Sequence, residues 1–229
     1  MKTNLFKKAI MLAVALFMVI PFAKAQVEVS AGGDIVSSYI WRGQDLGGVS
    51  IQPSASVSVG GLSLSAWGSV GIESYDTKEF DFTLGYSTGG LSLAITDYWF
   101  NTSNNYFDYA SHTTAHMFEA TLGYDFGPLA LSWNTYFAGT DYLNEDGSRS
   151  YSTYIEASAP FKLGGLDLKA ELGLTPWEGL YSDKFNVVNI GITVSKEITV
   201  TESFAIPAFT KICFSPNAQT CFLVFGISL

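Results

Sequence analysis

The stretch that decides the fold is VSIQPSASVSV, residues 49–59, in which two kinds of residue alternate without interruption. Every odd position holds an apolar residue, and every even position holds serine or glutamine. Successive side chains of a β-strand point to opposite faces of a sheet, so a period of two predicts a strand with one apolar and one small polar face. The stretch therefore predicts β-structure rather than helix.

The same alternation extends through the rest of the chain. Gly60-Gly61 turns into a second alternating run, and further runs follow as far as the last residue, Leu229. Counting a first strand from Val27 to Trp41, the pattern predicts about 12 strands. We therefore expect an all-β chain that forms a single antiparallel transmembrane β-barrel.

The connections between the predicted strands alternate in length. Even-numbered connections are short and odd-numbered ones tend to be longer and more polar, although the connection at 196–203 breaks the rule. The short ones are 60–61, 88–90, 127–128 and 162–165, and the long ones are 101–114, 139–150, 175–184 and 215–220. Outer-membrane barrels of bacteria have the same asymmetry, with short periplasmic turns and longer external loops.

Residues 1–25 have the pattern of a signal peptide. Lys2, Lys7 and Lys8 precede an apolar run over 9–20, and Ala23-Lys24-Ala25 supplies small residues for a cleavage site. The run is shorter than the roughly 20 residues that a transmembrane helix needs. We expect residues 26–229 to form one exported domain, the outer-membrane β-barrel.

Composition limits the classes of function. Removing residues 1–25 takes away four of the 12 basic residues and none of the 21 acidic ones, which leaves 204 residues with a net charge of −13. This charge argues against nucleic acid as a partner. Charged residues number 29 of the 204, about half of the roughly 25% found in soluble domains. We expect something other than water to cover much of the surface.

Alternation also fits a soluble lipid-binding barrel with its apolar face inward. Three features favour a membrane barrel instead: a polar face nearly free of lysine, a last strand that alternates up to Leu229, and aromatic residues beside the long connections. We expect these aromatic residues to form girdles at the membrane surfaces. They are Tyr39, Trp41, Tyr98, Trp99, Tyr136, Phe137, Trp177 and Tyr181.

The expected partners follow from this location. Outer-membrane lipid and lipopolysaccharide would surround the barrel, and the barrel-assembly machinery would recognise its C-terminal strand. Small solutes are the expected cargo of its lumen.

If the apolar face meets lipid, the alternate residues line a lumen. Ten acids fall in this register, and two cations, Arg42 and Lys169, oppose them. This bias predicts a negative potential that favours cations or neutral solutes, unless many of the acids are merely solvated at the rims. The candidate lumen residues are Arg42, Glu73, Glu79, Asp81, Glu119, Asp125, Glu156, Lys169 and Glu171.

Arg42 allows two interpretations. It is either a fixed positive charge at the mouth of a pore or a structural residue that pairs with lumen carboxylates. The second is favoured because a planar guanidinium binds carboxylates in a bidentate manner.

Other reactive side chains give weak signals. His112 and His116 are the only histidines, and we expect them to be surface residues because a metal site needs three or four ligands. No G-x-S-x-G, phosphate-binding loop or H-E-x-x-H motif occurs, so we expect no enzyme activity, metal or cofactor. Cys213 and Cys221 flank one predicted loop, and oxidation during export makes them a candidate disulfide.

A series of short motifs follows in order between Asp34 and Gly173. It comprises SYIWRG at 38–43, QPS at 52–54, WGS at 67–69, Glu79 with Asp81 and Gly85-Tyr86, Glu119 with Gly123-Tyr124, and Tyr154-Ile155-Glu156. This series resembles the TorF-type porins of Gram-negative bacteria. The resemblance implies an outer-membrane barrel called a porin chiefly for its shape, and it brings no established substrate or catalytic residue.

Two functions remain open at this point. The first is a narrow channel for small solutes with an acidic lumen that favours cations. The second is a structural or adhesin-like barrel that works through external loops, where Tyr106, Phe107, Tyr109 and Tyr142 could contact a partner.

Overall fold

The computed structural model describes residues 26–74, 76–100, 105–110, 113–202 and 204–229. The predicted signal peptide, residues 1–25, lies outside the described residues. The described part contains no helix that is long and apolar enough to cross a membrane.

Twelve antiparallel strands form a closed barrel, which confirms the predicted fold class. Each strand pairs with its neighbours in the chain, and β1 closes the ring by pairing with β14. The wall strands are β1 (Val27–Val36), β4 (Ser50–Val59), β5 (Leu62–Gly71), β6 (Lys78–Thr88), β7 (Leu91–Phe100), β8 (His116–Asp125), β9 (Ala130–Gly139), β10 (Thr153–Leu163), β11 (Leu166–Thr175), β12 (Asn186–Thr201), β13 (Phe204–Ser215) and β14 (Thr220–Ser228).

The first predicted strand is wrong in its second half. The wall strand β1 stops at Val36, and the chain then forms a separate hairpin of β2 (Tyr39–Trp41) and β3 (Gln44–Gly47). Arg42 and Gly43 make the turn of this hairpin with φ of 51° and 79°. Positive φ at both central residues gives the turn the twist of a hairpin. The alternation of 27–41 therefore spans two sheets.

The two ends of the barrel differ in their connections. At one end, which we call the turn end, glycine pairs such as Gly60-Gly61 reverse the chain with positive φ at both residues. The connection predicted to be long at 196–203 is also short, because β12 continues to Thr201 and β13 begins at Phe204. The opposite end, the loop end, carries the hairpin and the longer connections.

The two faces of the wall differ in chemistry. Outward side chains are apolar and exposed; Ile51 is 52% exposed and Leu223 is 68% exposed. Inward side chains are mostly serine, threonine, asparagine, tyrosine and acids, and many of them are buried. Soluble monomers rarely expose such a continuous apolar surface. The barrel is therefore apolar outside and polar inside, as the alternation predicts.

Candidate functional site

The interior divides into a filled half and an open half. At the loop end, two segments that are not part of the wall enter the lumen: residues 39–47, which hold the hairpin, and residues 176–185, which hold Tyr181. We call these two segments the plug. They contact each other, because the Gln44 side chain donates a hydrogen bond to the Leu180 carbonyl at 3.2 Å.

Arg42 at the tip of the hairpin fastens the plug to the wall. Its Nη1 and Nη2 atoms donate to the two carboxylate oxygens of Glu119 at 2.5 and 2.8 Å, and Nη1 also donates to the Tyr181 hydroxyl at 2.6 Å. The side chains of Arg42 and Glu119 are 10% and 1% exposed. Because a buried ion pair has a large desolvation cost, this bidentate geometry is needed to hold both charges inside.

Aromatic rings surround the guanidinium. The Arg42 Cζ atom lies 4.3 Å from the Trp41 ring centroid, 4.7 Å from that of Tyr154 and 5.8 Å from that of Tyr181. Ring faces attract cations, and the attraction grows when water is excluded. The rings therefore offset part of the cost of burying the charge and fill the lumen around it.

The wall contributes the remaining contacts of this cluster. Tyr98 donates to Glu119 Oε1 at 3.0 Å, and its ring packs 5.9 Å from that of Tyr136. Val188 also points inward, since the pairing of β11 with β12 shifts register at this point. In the same region the pairing of β8 with β9 shifts register between Phe118 and Glu119, which leaves Phe137 of β9 as the extra residue. Local irregularities in the wall thus aim side chains at the plug.

The prediction of an aromatic girdle is wrong for five of the eight residues. The structure turns them into the barrel, where the hydroxyls of Tyr39 and Tyr98 donate to carboxylates, and it leaves Phe137 and Trp177 exposed and Trp99 half-buried. The inward five are Tyr39, Trp41, Tyr98, Tyr136 and Tyr181. Proximity to a strand end does not distinguish an aromatic residue of a membrane girdle from one that points into the lumen.

A pair of acidic side chains from the wall lies beside the hairpin. Glu79 and Asp81 are 5% and 6% exposed, and their carboxylates are in direct contact. Tyr39 donates to Glu79 Oε2 at 2.8 Å, and the Tyr39 ring packs 5.6 Å from that of Trp67. The Asp81 Oδ1 atom is buried and has no hydrogen-bond partner among the described residues.

A charge network lines the wall farther from the hairpin. Lys211 lies 2.6 Å from Glu171 Oε2, and Lys169 lies 3.0 Å from Glu171 Oε1 and 3.9 Å from Glu156. Lys211 is a lumen cation that is absent from the lumen residues predicted from the sequence. It stands in the inward register of β13, two residues before the buried Cys213, so the alternation of that strand was sufficient to place it.

The turn-end half of the lumen is an open vestibule. It holds a cavity of about 670 Å³, and serine is the most frequent residue in its lining. Asp125 stands at its rim, and Glu156 lines it deeper in the barrel. A separate cavity of about 420 Å³ lies at the loop end and touches Arg42, Gln44 and Tyr181. The two cavities share no lining residue within the described part of the chain, because the plug stands between them.

One predicted lumen residue lies elsewhere. Glu73 is two residues beyond the end of β5 and is exposed in the turn that follows it. Its backbone N–H donates to Asp76 Oδ2 at 2.9 Å, which fixes that turn. Glu73 therefore belongs to the loop end and not to the lumen, since the alternating register stops with the strand.

His116 is buried and not a surface residue, which corrects the prediction; His112 lies outside the described residues. The two His116 ring nitrogens contact Asp97 Oδ1 at 2.7 Å and the Tyr106 carbonyl oxygen at 2.6 Å. The Tyr109 ring stacks on the imidazole at a centroid distance of 4.1 Å. The histidine thus holds the loop at 105–110 against the outer wall. No group of three or more metal-ligating side chains occurs in the described residues.

The candidate disulfide is also wrong. Cys213 pairs across the ladder with Phe222, and Cys221 pairs with Phe214, so the two thiols occupy successive positions on opposite faces. Cys213 is buried inside and its Sγ contacts Asn189 Oδ1 at 3.0 Å, whereas Cys221 is exposed outside; both are free. Closeness in a hairpin is not sufficient, because the two Cβ atoms must also point to the same side.

Comparisons with known proteins add little to this geometry. No family model matches the chain, and no curated protein matches it. A crystal structure of BamA from Haemophilus ducreyi lacking POTRA domains 1–3 is similar with a TM-score of 0.41 and 13% identity, over 85% of this chain and 42% of that one. The chain therefore spans less than half the length of that protein. The barrel assignment rests on the strand pairing of this chain, and the resemblance to TorF-type porins stays a prediction.

Proposed function

We propose that the chain is an outer-membrane barrel of a Gram-negative bacterium and acts as a narrow channel for small solutes, held closed by its plug. The apolar outer face supports the membrane location, since lipid would cover side chains that water would not tolerate. Lipid and lipopolysaccharide are the proposed neighbours of the wall. The C-terminal strand β14 is the proposed signal for the barrel-assembly machinery.

The observation that carries the proposal is that the closure is not made by the wall. Twelve strands enclose more space than the eight-stranded barrels that side chains can fill. Here the loop-end half is filled by the plug, while the turn-end half remains an open vestibule. The plug is held by one ion pair and a few hydrogen bonds, so it can move while the hydrogen bonds between the wall strands stay intact. We therefore infer that it acts as a gate.

Charges along the lumen support a preference for cations that is weaker than the sequence suggests. Arg42 compensates Glu119, and two lysines compensate Glu156 and Glu171. Several acids of the inward register have no ion pair among the described residues; they include Glu28, Asp34, Glu79, Asp81 and Asp125. Because a net negative lumen remains, cations should pass more easily than anions.

Planar-bilayer recording of the refolded protein tests the proposal. We expect wild-type protein to conduct in rare events, and the Glu119→Gln variant to open more often, since it loses the charge that holds Arg42. Lys162→Gln serves as the control, because Lys162 pairs with Asp167 at 2.6 Å at the turn end, away from the plug. If folded Glu119→Gln protein shows no more conductance than wild type, the gated channel is refuted.

A second candidate function uses the external loops. Phe107 is 80% exposed at the loop end, and Tyr109 is 52% exposed beside it. In a neighbouring loop, a hydrogen bond of 2.7 Å to Glu178 raises the pKa of Tyr142 and fixes that side chain. An adhesin-like barrel would present such aromatic residues to a partner. Protein that stays silent in bilayers but binds cells, and loses binding in Phe107→Ser, would favour this function. We propose no catalytic role.

A further inference from the structure

We propose that the buried carboxylate pair Glu79–Asp81 binds a divalent hard cation of the calcium class. The two acids stand at alternate positions of β6 on the inner face, near the point where the hairpin meets the wall. This site requires no conduction through the barrel, and it is separate from the ion pair of Arg42.

The first argument is charge. Two carboxylates in contact and more than nine-tenths buried cannot both remain ionised unless a positive charge compensates them. No ion pair within the described residues includes Glu79 or Asp81. The basic side chain of the nearby hairpin, Arg42, is already bound by Glu119. The compensating charge must therefore come from a shared proton or from a bound ion.

The second argument separates these two possibilities. A proton shared between Glu79 and Asp81 would occupy one oxygen of each carboxylate, and Tyr39 already donates to Glu79 Oε2. The Asp81 Oδ1 atom is buried and has no hydrogen-bond partner among the described residues. A shared proton neutralises one of the two charges, whereas a divalent cation that bridges both carboxylates compensates both charges and gives Asp81 Oδ1 a partner.

The third argument is the chemistry of the surroundings. Ser69 lies opposite Glu79 in the ladder, and the Gln52 side chain donates to the Ser69 hydroxyl at 3.3 Å. The described side chains around the pair therefore carry carboxylate, hydroxyl and amide oxygens, and none of these side chains carries sulfur or imidazole. Oxygen ligands select hard cations, and Ca²⁺ accepts the irregular geometry that such a set imposes while retaining water. A double positive charge also matches the two carboxylates.

Terbium luminescence provides a direct test. Tb³⁺ replaces Ca²⁺ at oxygen sites and emits when a nearby indole transfers energy to it. Trp67 is opposite Asp81 in the strand ladder and is well placed for this transfer. In detergent-folded full-length protein we expect Tb³⁺ emission that Ca²⁺ displaces, and a midpoint of thermal unfolding that rises with Ca²⁺.

Variants assign the signal to this site. Asp81→Asn and Glu79→Gln should each weaken Ca²⁺ displacement by at least about tenfold. Trp67→Phe should lose most of the emission but keep the Ca²⁺-dependent stability, and Asp125→Asn, at the rim of the vestibule, should behave as wild type. Emission that persists in Asp81→Asn would place the ion elsewhere and overturn the proposal.

The wild-type protein alone can also refute the site. If Ca²⁺ neither displaces Tb³⁺ emission nor raises the unfolding midpoint, the pair shares a proton and binds no ion. These measurements use no bilayer, so a silent channel in the conductance experiment leaves them unaffected, and a failed cation site leaves the gated channel unaffected.

Discussion

The two halves of the lumen are built from the same twelve strands, yet one is filled and the other is open. At the turn end, inward positions carry serine and glycine, and water-sized space remains. At the loop end, the same strands carry tyrosine, glutamate and asparagine, which bind segments from outside the wall. Strand number therefore sets how wide the lumen is, whereas the size of inward side chains and the path of the connections set whether it is filled.

The largest effect on stability is expected from a change in the filled half of the lumen that removes the carboxylate binding Arg42. Glu119→Ala should lower the free energy of unfolding by about 3–5 kcal/mol, since it leaves the Arg42 guanidinium buried without its counter-charge. Even 1 kcal/mol lost from the closed state would raise the open fraction about fivefold. Urea titration in detergent measures the first quantity, and single-channel recording the second.

A double variant serves as the control for this effect. Arg42→Met combined with Glu119→Gln removes both charges and should be less destabilising than Glu119→Ala alone, because no buried charge remains unpaired. If the double variant is as unstable as the single one, the loss stems from packing and the ion pair is not the fastening.

The same glycine-to-alanine change should give unequal results in the two halves. A Cβ at Gly173 would collide with the hydroxyl of Tyr154, which is 2% exposed and packed against the plug. A Cβ at Gly123 would meet the Ser92 hydroxyl, which is free to rotate into the vestibule. We expect Gly173→Ala to cost about 1–3 kcal/mol of unfolding free energy and Gly123→Ala clearly less. Equal costs would contradict the division of the lumen.

The barrel could be predicted from the sequence, but the plug could not. Alternation depends on the local geometry of a strand, so it places Gln52, Asp81 and Leu223 on their correct faces. Alternation does not show whether a strand stays in the wall. The sequence pattern therefore predicted β1 and β2 as one strand. Gly43 and Gly47-Gly48 were the available hint of an extra hairpin.

The sites depend on contacts between distant parts of the chain. Arg42 and Glu119 are 77 residues apart, so the alternating register placed both in the lumen and favoured a carboxylate partner for Arg42 but did not identify which carboxylate. His116 resembled a loop residue because its partners, Asp97 and the Tyr106 carbonyl, lie 19 and 10 residues away in the chain, where the alternation does not connect them to it. Lys211 is the exception, since the register of β13 alone assigns it to the lumen.

A lysine near the boundary of the two halves should tune selectivity more than stability. Lys211→Gln leaves Glu171 with Lys169 as a partner, so the carboxylate stays compensated in part. The lumen becomes more negative by one charge, and the cation-to-anion permeability ratio should rise, by about twofold. Reversal potentials in a salt gradient, recorded in the Glu119→Gln background, measure this ratio; an unchanged ratio would show that the pathway avoids this wall.

The smallest effect concerns the cysteines and tests the assignment of faces itself. Because Cys213 points inward and Cys221 outward, gel migration should be identical with and without reductant. A small maleimide should label one thiol per folded chain and two after denaturation, since Cys213 is 0% exposed. Cys221→Ser should abolish the first labelling event and Cys213→Ser should leave it intact. Labelling of Cys213 in folded protein would mean that β13 and β14 are shifted by one residue, which would turn Lys211 out of the lumen and toward lipid.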